Sequence, residues 1–374
     1  MKKLLFFTYW KFDDAETNGI TKKIISQKKV FENNGYRVDL VYLLNGNYYI
    51  DIDGKKTLIQ KKPPFWTKLQ AESKLRRIIK NEKYDAAYFR YNCCDVAFVS
   101  LLKELKKNGT KNIIEIPTVE YDNELSTSFL GRVLVFVDKL HRNNLKKYTD
   151  KIVVFQDYQE VYGIPTIRTY NGLDIDEIKL KNITDSKDVR LICVAQYQMW
   201  HSLERILYGL VDYYSHKVDK IVILNVVGDG PALSEYKEIV KNGKIDKYIN
   251  FVGRKSGKEL DDLFDESDIA IETLGGHKIN MKTSSTMKSR EYLARGIPYI
   301  SELYTDVVPE GWDYLLKIPY DDSKVDISTI VDYYNKSLST VIDKEQVANN
   351  IRQFAVSKID MNNTMKPVVE EFDE

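Results

Sequence analysis

The sequence predicts an α/β protein made of two doubly wound, Rossmann-like halves. Three observations lead there: apolar strand-like runs alternate with helical stretches, the alternation restarts after a turn-forming segment near residue 170, and the charge balance changes sign at the same place. Of the 374 residues, 43% are hydrophobic and 12% aromatic, an ordinary globular composition at a length suited to two domains. Residues 1–170 carry 30 Lys and Arg against 20 Asp and Glu, a formal +10, and the remainder carries 26 against 35, a formal −9.

In the first half, residues 3–9 are apolar on both faces, as a strand covered on both sides should be, and lead into a polar loop over 10–17. Ile20, Ile24, Ile25 and Phe31 mark one side of a helix that Asn33, Asn34 and Gly35 stop. Further strands are predicted over 38–44, 84–90, 112–116 and 151–155, with helices near 67–82, 93–108 and 129–147. The second half predicts strands over 190–195, 220–227, 249–253, 269–273 and 298–301. Its helices reach Tyr214, begin at Pro231, run from Ser256 to about residue 266 and cover 284–295. From about residue 340 onward the chain reads as helices outside both sheets. Their apolar positions Phe354, Ala355, Val356, Val368, Val369 and Phe372 predict that 351–374 return to cover the first half, giving domains 1–170 and 171–350 and a returning tail.

The longest purely apolar run, 133–137, has five residues, far short of the roughly 20 needed to cross a bilayer. The N-terminal segment lacks a signal-peptide core and cleavage site, so a cytoplasmic chain is expected. Three cysteines and four histidines give neither a disulfide framework nor metal-ligand spacing, so no metal and no cofactor is expected. No GxGxxG follows the first strand and no G-x-x-x-x-G-K-[ST] occurs, which removes the support for nicotinamide, flavin and P-loop chemistry. Open α/β sheets bind ligands beyond the carboxyl ends of their strands, so a sugar-nucleotide or dinucleotide enzyme is the physical expectation. The basic first half either favours an anionic partner or is simply a solvated surface.

Five segments, in consistent order, carry a resemblance. They are NGI at 18–20, NGLD at 171–174, VGDGP at 227–231, FVGR at 251–254 and EYLARGIP at 291–298. Together they resemble the retaining, nucleotide-sugar-dependent glycosyltransferases of family 4, which have the GT-B fold: two Rossmann-like domains facing across a cleft, with C-terminal helices crossing back. In that resemblance Glu291 holds the donor ribose, a task suited to a carboxylate because both ribose hydroxyls donate; its other reading is a pair with Arg295 one turn on. Ser284 and Ser285, with Thr286, open the same helix as an anion site for the diphosphate or as plain caps. Gly253 and Arg254 line the base or form a turn with a solvated Arg254. Asn18 and Gly19 face the donor, or cap the helix that follows.

The chain departs from the family pattern in places. The first Glu of the family's E-x7-E signature is Thr283 here, and the usual Arg and Lys after the first strand of the second half are Gln196 and His201. His201 beside a diphosphate is expected to gain a proton. Lys282, Lys288 and Arg205 flank the same loops and are the candidate replacement cations. A polysaccharide-building bacterial branch is similar here, with Trp200-His201 and Lys288-Ser289-Arg290-Glu291. After the fourth strand, Glu120, Tyr121 and Asp122 are candidates to touch sugar, or are ordinary solvated loop residues; Glu120, Asp122 and Thr283 are the candidate catalytic residues. The apolar, basic helix over 129–142, with Lys146, Lys147 and the segment 61–68, either rests on an anionic membrane or packs on the first sheet, and packing is the favoured reading. The resemblance implies transfer of a sugar from a nucleotide sugar to a saccharide or lipid-linked acceptor in cell-surface polysaccharide assembly, without nucleic acid. A non-catalytic glycan- or partner-binding protein of the same fold is the alternative.

Overall fold

A strand that is apolar on both faces needs cover on both sides, and the first strand receives it. The computed structural model of the chain describes residues 1–13, 19–61, 67–119, 121–126 and 128–374. It divides into two units, Met1–Gly172 together with Met361–Glu374, and Leu173–Asp360. The first unit runs through β1 (Lys2–Lys11), α1 (Gly19–Asn33), β2 (Tyr36–Leu44), β3 (Asn47–Ile52), β4 (Lys55–Gln60), α2 (Thr67–Asn81), β5 (Ala86–Arg90), α3 (Val96–Lys107), β6 (Lys111–Glu115), α4 (Tyr121–Leu125), α5 (Phe129–His141), β7 (Lys151–Val154), β8 (Glu160–Val161) and β9 (Ile164–Arg168). Its sheet has the order β4-β3-β2-β1-β5-β6-β7-β9-β8, parallel from β2 to β9. Leu5 and Phe7 of β1 enter one core with Leu75, Phe98 and Leu101. Leu4 and Phe6 enter the opposite one with Ile24, Phe31, Met365, Val368 and Phe372.

The second unit contains β10 (Val189–Gln196), α6 (Glu204–Tyr214), β11 (Val222–Asp229), α7 (Leu233–Gly243), β12 (Ile249–Gly253), α8 (Gly257–Asp265), β13 (Ile269–Ile271), β14 (Thr283–Ser284), α9 (Met287–Arg295), β15 (Tyr299–Ser301), β16 (Tyr304–Thr305), β17 (Leu315–Lys317), α10 (Ile327–Ser337) and α11 (Val341–Ile359); α12 (Met361–Asp373) follows. The main sheet is β12-β11-β10-β13-β15-β17, parallel throughout. The strand order reverses at β10, with β11 on one side and β13 on the other, which makes the carboxyl ends of β10 and β13 the switch point where open α/β sheets take ligands.

The antiparallel hairpins β2-β3-β4 are absent from the strands predicted above, although their signal is present. Asn45-Gly46 and Asp53-Gly54 have φ of 49°, 74°, 50° and 79°, the doubly positive turn that joins hairpin strands. The returning tail is shorter than expected. Ile351, Ala355 and Ile359 are completely buried in the second unit's core, Phe354 packs on Trp312 at 4.8 Å, and Arg352 donates to the carbonyls of Ile175 and Ile178 at 2.8 and 2.9 Å. Only α12 covers the first sheet, where Phe372 meets Phe31 edge-on at 5.9 Å. Residues 351–360 stay with the second unit because its core already satisfies their apolar positions.

Two buried carboxylates in the first unit have opposite fates. Glu115, at the end of β6, is fully buried and accepts from Gln27 Nε2 at 2.6 Å, Tyr88 Oη at 2.7 Å, Lys23 Nζ at 3.4 Å, and Arg90. Burial alone would raise its pKa; Lys23 and Arg90, with the two neutral donors, outweigh burial and hold it at about 2. Glu72 of α2 is equally buried, bonds to Tyr9 and has Lys68 3.9 Å away. There burial and the Asp95 carboxylate push it up to about 8 against the pull of Lys68.

The two shifts act on stability with opposite sign. Glu115 titrates below its unfolded value, so its contribution is present above about pH 4.5 and is lost as pH falls toward 2. A chemical-denaturation series should show wild type losing on the order of 3 kcal/mol across that window; Glu115→Gln, starting lower, should lack that component. Glu72 holds a proton that the unfolded chain releases, so stability falls as pH rises from about 4.5 to 8. Glu72→Gln should therefore remove a slope of about 1 kcal/mol per pH unit in that range and make the protein more stable than wild type at pH 7. Parallel wild-type and variant curves would contradict the assignment.

Candidate functional site

In the second unit the loop after β10 turns back immediately. Gln196 is exposed as the last residue of the β10 ladder, opposite Asp229, and Tyr197 is buried with its hydroxyl on the Cys193 carbonyl at 2.6 Å. Gly228 (φ 121°) and Gly230 (φ 150°) permit this turn, because a Cβ would lie 1.9 Å from the Ala195 carbonyl oxygen and 2.3 Å from that of Tyr197. His201 accepts the Gln198 N–H at Nδ1, 2.9 Å away, which leaves Nε2 as its donor in the neutral ring. Burial, reinforced by the charge of Lys288, lowers its pKa to about 4. A second proton on the ring would have to displace the Gln198 amide from Nδ1. Trp200, 41% exposed, lies over the imidazole at 6.2 Å.

The loop after β13 comes up against it. A Cβ on Gly275 would stand 2.1 Å from Ser202 Oγ, and the Leu274 N–H reaches the His201 carbonyl at 3.1 Å. Glu272, only 1% exposed, accepts from Thr286 Oγ1 at 2.6 Å and from the Thr273 N–H. Thr286 caps α9 by accepting the Ser289 N–H at 3.1 Å. In the first turn of α9, Lys288 donates to Thr273 Oγ1 at 3.3 Å. No described carboxylate lies within ion-pair distance of Lys288. A lysine at a helix N-terminus, close enough to a histidine to suppress its protonation, is an electrostatic arrangement that an anion would relieve. Glu272 and Thr273, which complete this cluster, were not singled out by the sequence; polar residues directly after a buried strand and before Gly275-Gly276 are the available signal.

Several predicted residues do other things. Arg205 is 2% exposed and donates to the carbonyls of Ser323, Leu274 and Pro319 at 2.7, 2.6 and 2.9 Å and to Glu302 at 2.7 Å. It fastens loops and is not a free cation for a diphosphate. Ser284 is fully buried in the short β14-β16 ladder, and Ser285 Oγ donates to Asp306 at 2.8 Å beside Arg290. Neither hydroxyl belongs to an anion site, because a carboxylate already occupies the second and burial encloses the first. Thr283 is exposed within that ladder, opposite Tyr304, and Lys282 is exposed just before it. Glu291 pairs with Arg295 Nε through Oε1 at 2.9 Å, so only its second oxygen remains for another donor. A pocket of about 250 Å³ lies between the ends of β11 and β12, lined by Asp229, Lys237, Phe251, Gly253 and Arg254 among others. Lys237 Nζ sits 5.6 Å over the Phe251 ring and Arg254 is 3.9 Å from Asp229.

In the first unit, Asn18 and Glu120 lie outside the described residues. Gly19 starts α1. Asp122 binds Arg142 at 3.0 Å and Lys139 at 3.1 Å; burial would raise its pKa, but these two cations hold it below the usual carboxylate value. It is an ion-pair partner and is poorly suited to carry a proton. Among the described residues no group of three or more His, Cys, Asp or Glu could hold a metal ion, and no helix is long and apolar enough to cross a membrane.

No protein-family model matches the sequence, and no curated protein sequence matches it. Solved structures do. A glycosyltransferase from Rickettsia africae ESF-5 superposes with TM-score 0.66 at 14% identity, covering 100% of this chain and 98% of that one. HepE from Anabaena, in complex with UDP, gives TM-score 0.66 at 12% identity with 100% of both chains covered. Sucrose-phosphate synthase from Thermosynechococcus elongatus gives 0.64 at 12% identity, covering 100% and 99%. At such identities the likeness speaks to architecture: two α/β units with parallel sheets, the GT-B fold of these glycosyltransferases.

Proposed function

We propose that this chain transfers a hexosyl group from a nucleoside diphosphate sugar to a saccharide or lipid-linked saccharide, with retention of anomeric configuration, in cell-surface polysaccharide assembly. The observation that carries the reading is Lys288, a cation without a carboxylate partner among the described residues, in the first turn of α9 beside the meeting point of the loops after β10 and β13. HepE has been solved with UDP and with UDP-glucose, which makes a uridine donor the first to try. In this reading the diphosphate lies against Lys288 and the Nε2–H of His201. The free oxygen of Glu291 takes a ribose hydroxyl, and the base enters the pocket beside Phe251 and Gly253. As the bond from the anomeric carbon to phosphate breaks, the acceptor oxygen bonds to that carbon and its proton passes to the departing phosphate. Lys288 then meets the growing charge on the leaving group. The neutral Thr283 and the ion-paired Asp122 favour a second reading, a nucleotide- or glycan-binding protein that does not turn over. Release of nucleoside diphosphate from a bound donor separates the two.

A thermal-shift panel of UDP, GDP, ADP and CMP should raise the melting temperature with at least one diphosphate, and Lys288→Ala should weaken the corresponding nucleotide sugar by about 1.5 to 3 kcal/mol in calorimetry. A panel without any shift would sink the donor-site reading. Because His201 has a pKa of about 4 and uses Nδ1 as an acceptor, affinity for an intact nucleotide sugar should stay level from pH 6 to 8. A tenfold decline toward pH 8, on the order of 1.4 kcal/mol, would instead mean that the bound diphosphate puts a proton on His201.

A further inference from the structure

The helix α5 is turned inside out. Six of its large apolar side chains face solvent: Phe129 at 72% exposure, Leu130 at 58%, Val133 at 45%, Leu134 at 50%, Phe136 at 62% and Leu140 at 60%. At 100° per residue these positions span one continuous face. The inward face carries Gly131, Val135 and Asp138, and its attachment is largely polar. Asp138 accepts from Tyr121 Oη and the Cys94 N–H, both at 2.5 Å, from Arg142 at 3.3 Å and from Tyr91. The packing favoured from sequence is thus not what the structure has: the apolar face points away from the sheet. Contiguous exposed apolar surface of this kind marks an interaction site.

We propose that α5 is a docking surface for an anionic lipid bilayer and lies in the interface with its apolar face among the acyl chains. The helix carries one acidic residue, Asp138, which is buried and paired. Arg132 flanks the apolar face, and exposed Lys146 and Lys147 continue from its C-terminal end; Lys139, on the same flank, pairs with Asp122. This combination of a fully apolar outer face and a basic margin is what a helix lying on an anionic surface requires. A second copy of the chain is a poorer occupant. A 13-residue helix offers fewer residues than the roughly 20–30 a side of a standard interface. An isologous contact would also bring the two basic margins together. The proposal does not depend on the transferase reading.

The test is co-sedimentation of the full chain with vesicles of phosphatidylglycerol in phosphatidylcholine and with pure phosphatidylcholine, beside light scattering without lipid. The wild type should be monomeric, partition onto the anionic vesicles, and release as salt is raised. The triple variant Leu134→Ser, Phe136→Ser, Leu140→Ser should lose partitioning about tenfold or more while its circular dichroism is unchanged. Should that variant fail to fold, Arg132→Gln with Lys146→Gln and Lys147→Gln alters only exposed charges and should lose the anionic preference. Absence of vesicle binding by the wild type, or undiminished binding by both variants, overturns the proposal. So does a wild-type dimer that the triple variant breaks, which would make the face an interface between copies.

Discussion

The loop cluster beyond the carboxyl ends of β10 and β13 depends on one buried guanidinium. Arg205 ties the loop after β13, through the Leu274 carbonyl, to the segment after β17, through the carbonyls of Pro319 and Ser323. Its carboxylate partner Glu302 also accepts both the backbone N–H and Nδ1 of His277, at 3.0 and 2.8 Å. An arginine suits this role because its donors form a rigid planar fork that never loses its charge. With the fork satisfied, Glu272 and Thr273 are held just beyond it, and Lys288 is fixed against Thr273. The cation that fastens these loops, Arg205, is distinct from Lys288, which carries its charge beside His201.

That division explains how far the sequence could be read. Strand β1, the restart of the pattern in the second half and the crevice loops are legible because buried strands and strand-end turns leave local signatures. Strands β3 and β4 show only in the Asn45-Gly46 and Asp53-Gly54 dipeptides that turn the chain back from β2, since NYYIDI and KKTLIQ mix polar with apolar residues. Motif order singles out His201 and Lys288, which the structure sets close enough for the charge of Lys288 to act on the imidazole, whereas Arg205, singled out with them, is fully engaged in fastening loops. A buried arginine that fastens loops and an exposed one that binds phosphate are the same letter at the same spacing, and only burial separates them. Glu291 shows the limit from the other side, because the neighbour one turn along the helix that competes for it, Arg295, was visible from the start.

Electrostatic contrast within a single unit makes the same point about context. Glu115 and Glu72 both sit in the first unit and both are fully buried, yet one is held ionised and the other protonated near neutral pH. Two cations and two neutral donors surround the first; a second carboxylate and one more distant lysine surround the other. Burial sets the size of the penalty and the neighbours set its sign.

The chain path gives the first unit an unusual history. Its sheet is made early, but α12 supplies Met365, Val368 and Phe372 to one of its two cores, and the whole second unit intervenes. The second unit closes on itself where Leu173 and Asp360 bridge and the Leu173 N–H meets the Ile359 carbonyl at 2.9 Å. It is therefore contiguous, whereas the first unit is split. At a synthesis rate of about 5 to 20 residues per second, the face bearing Leu4, Phe6 and Phe31 waits on the order of 10 to 40 seconds for its cover. The later-encoded unit is itself complete only once Asp360 is made, so through that interval the earlier one stands without the side chains of α12.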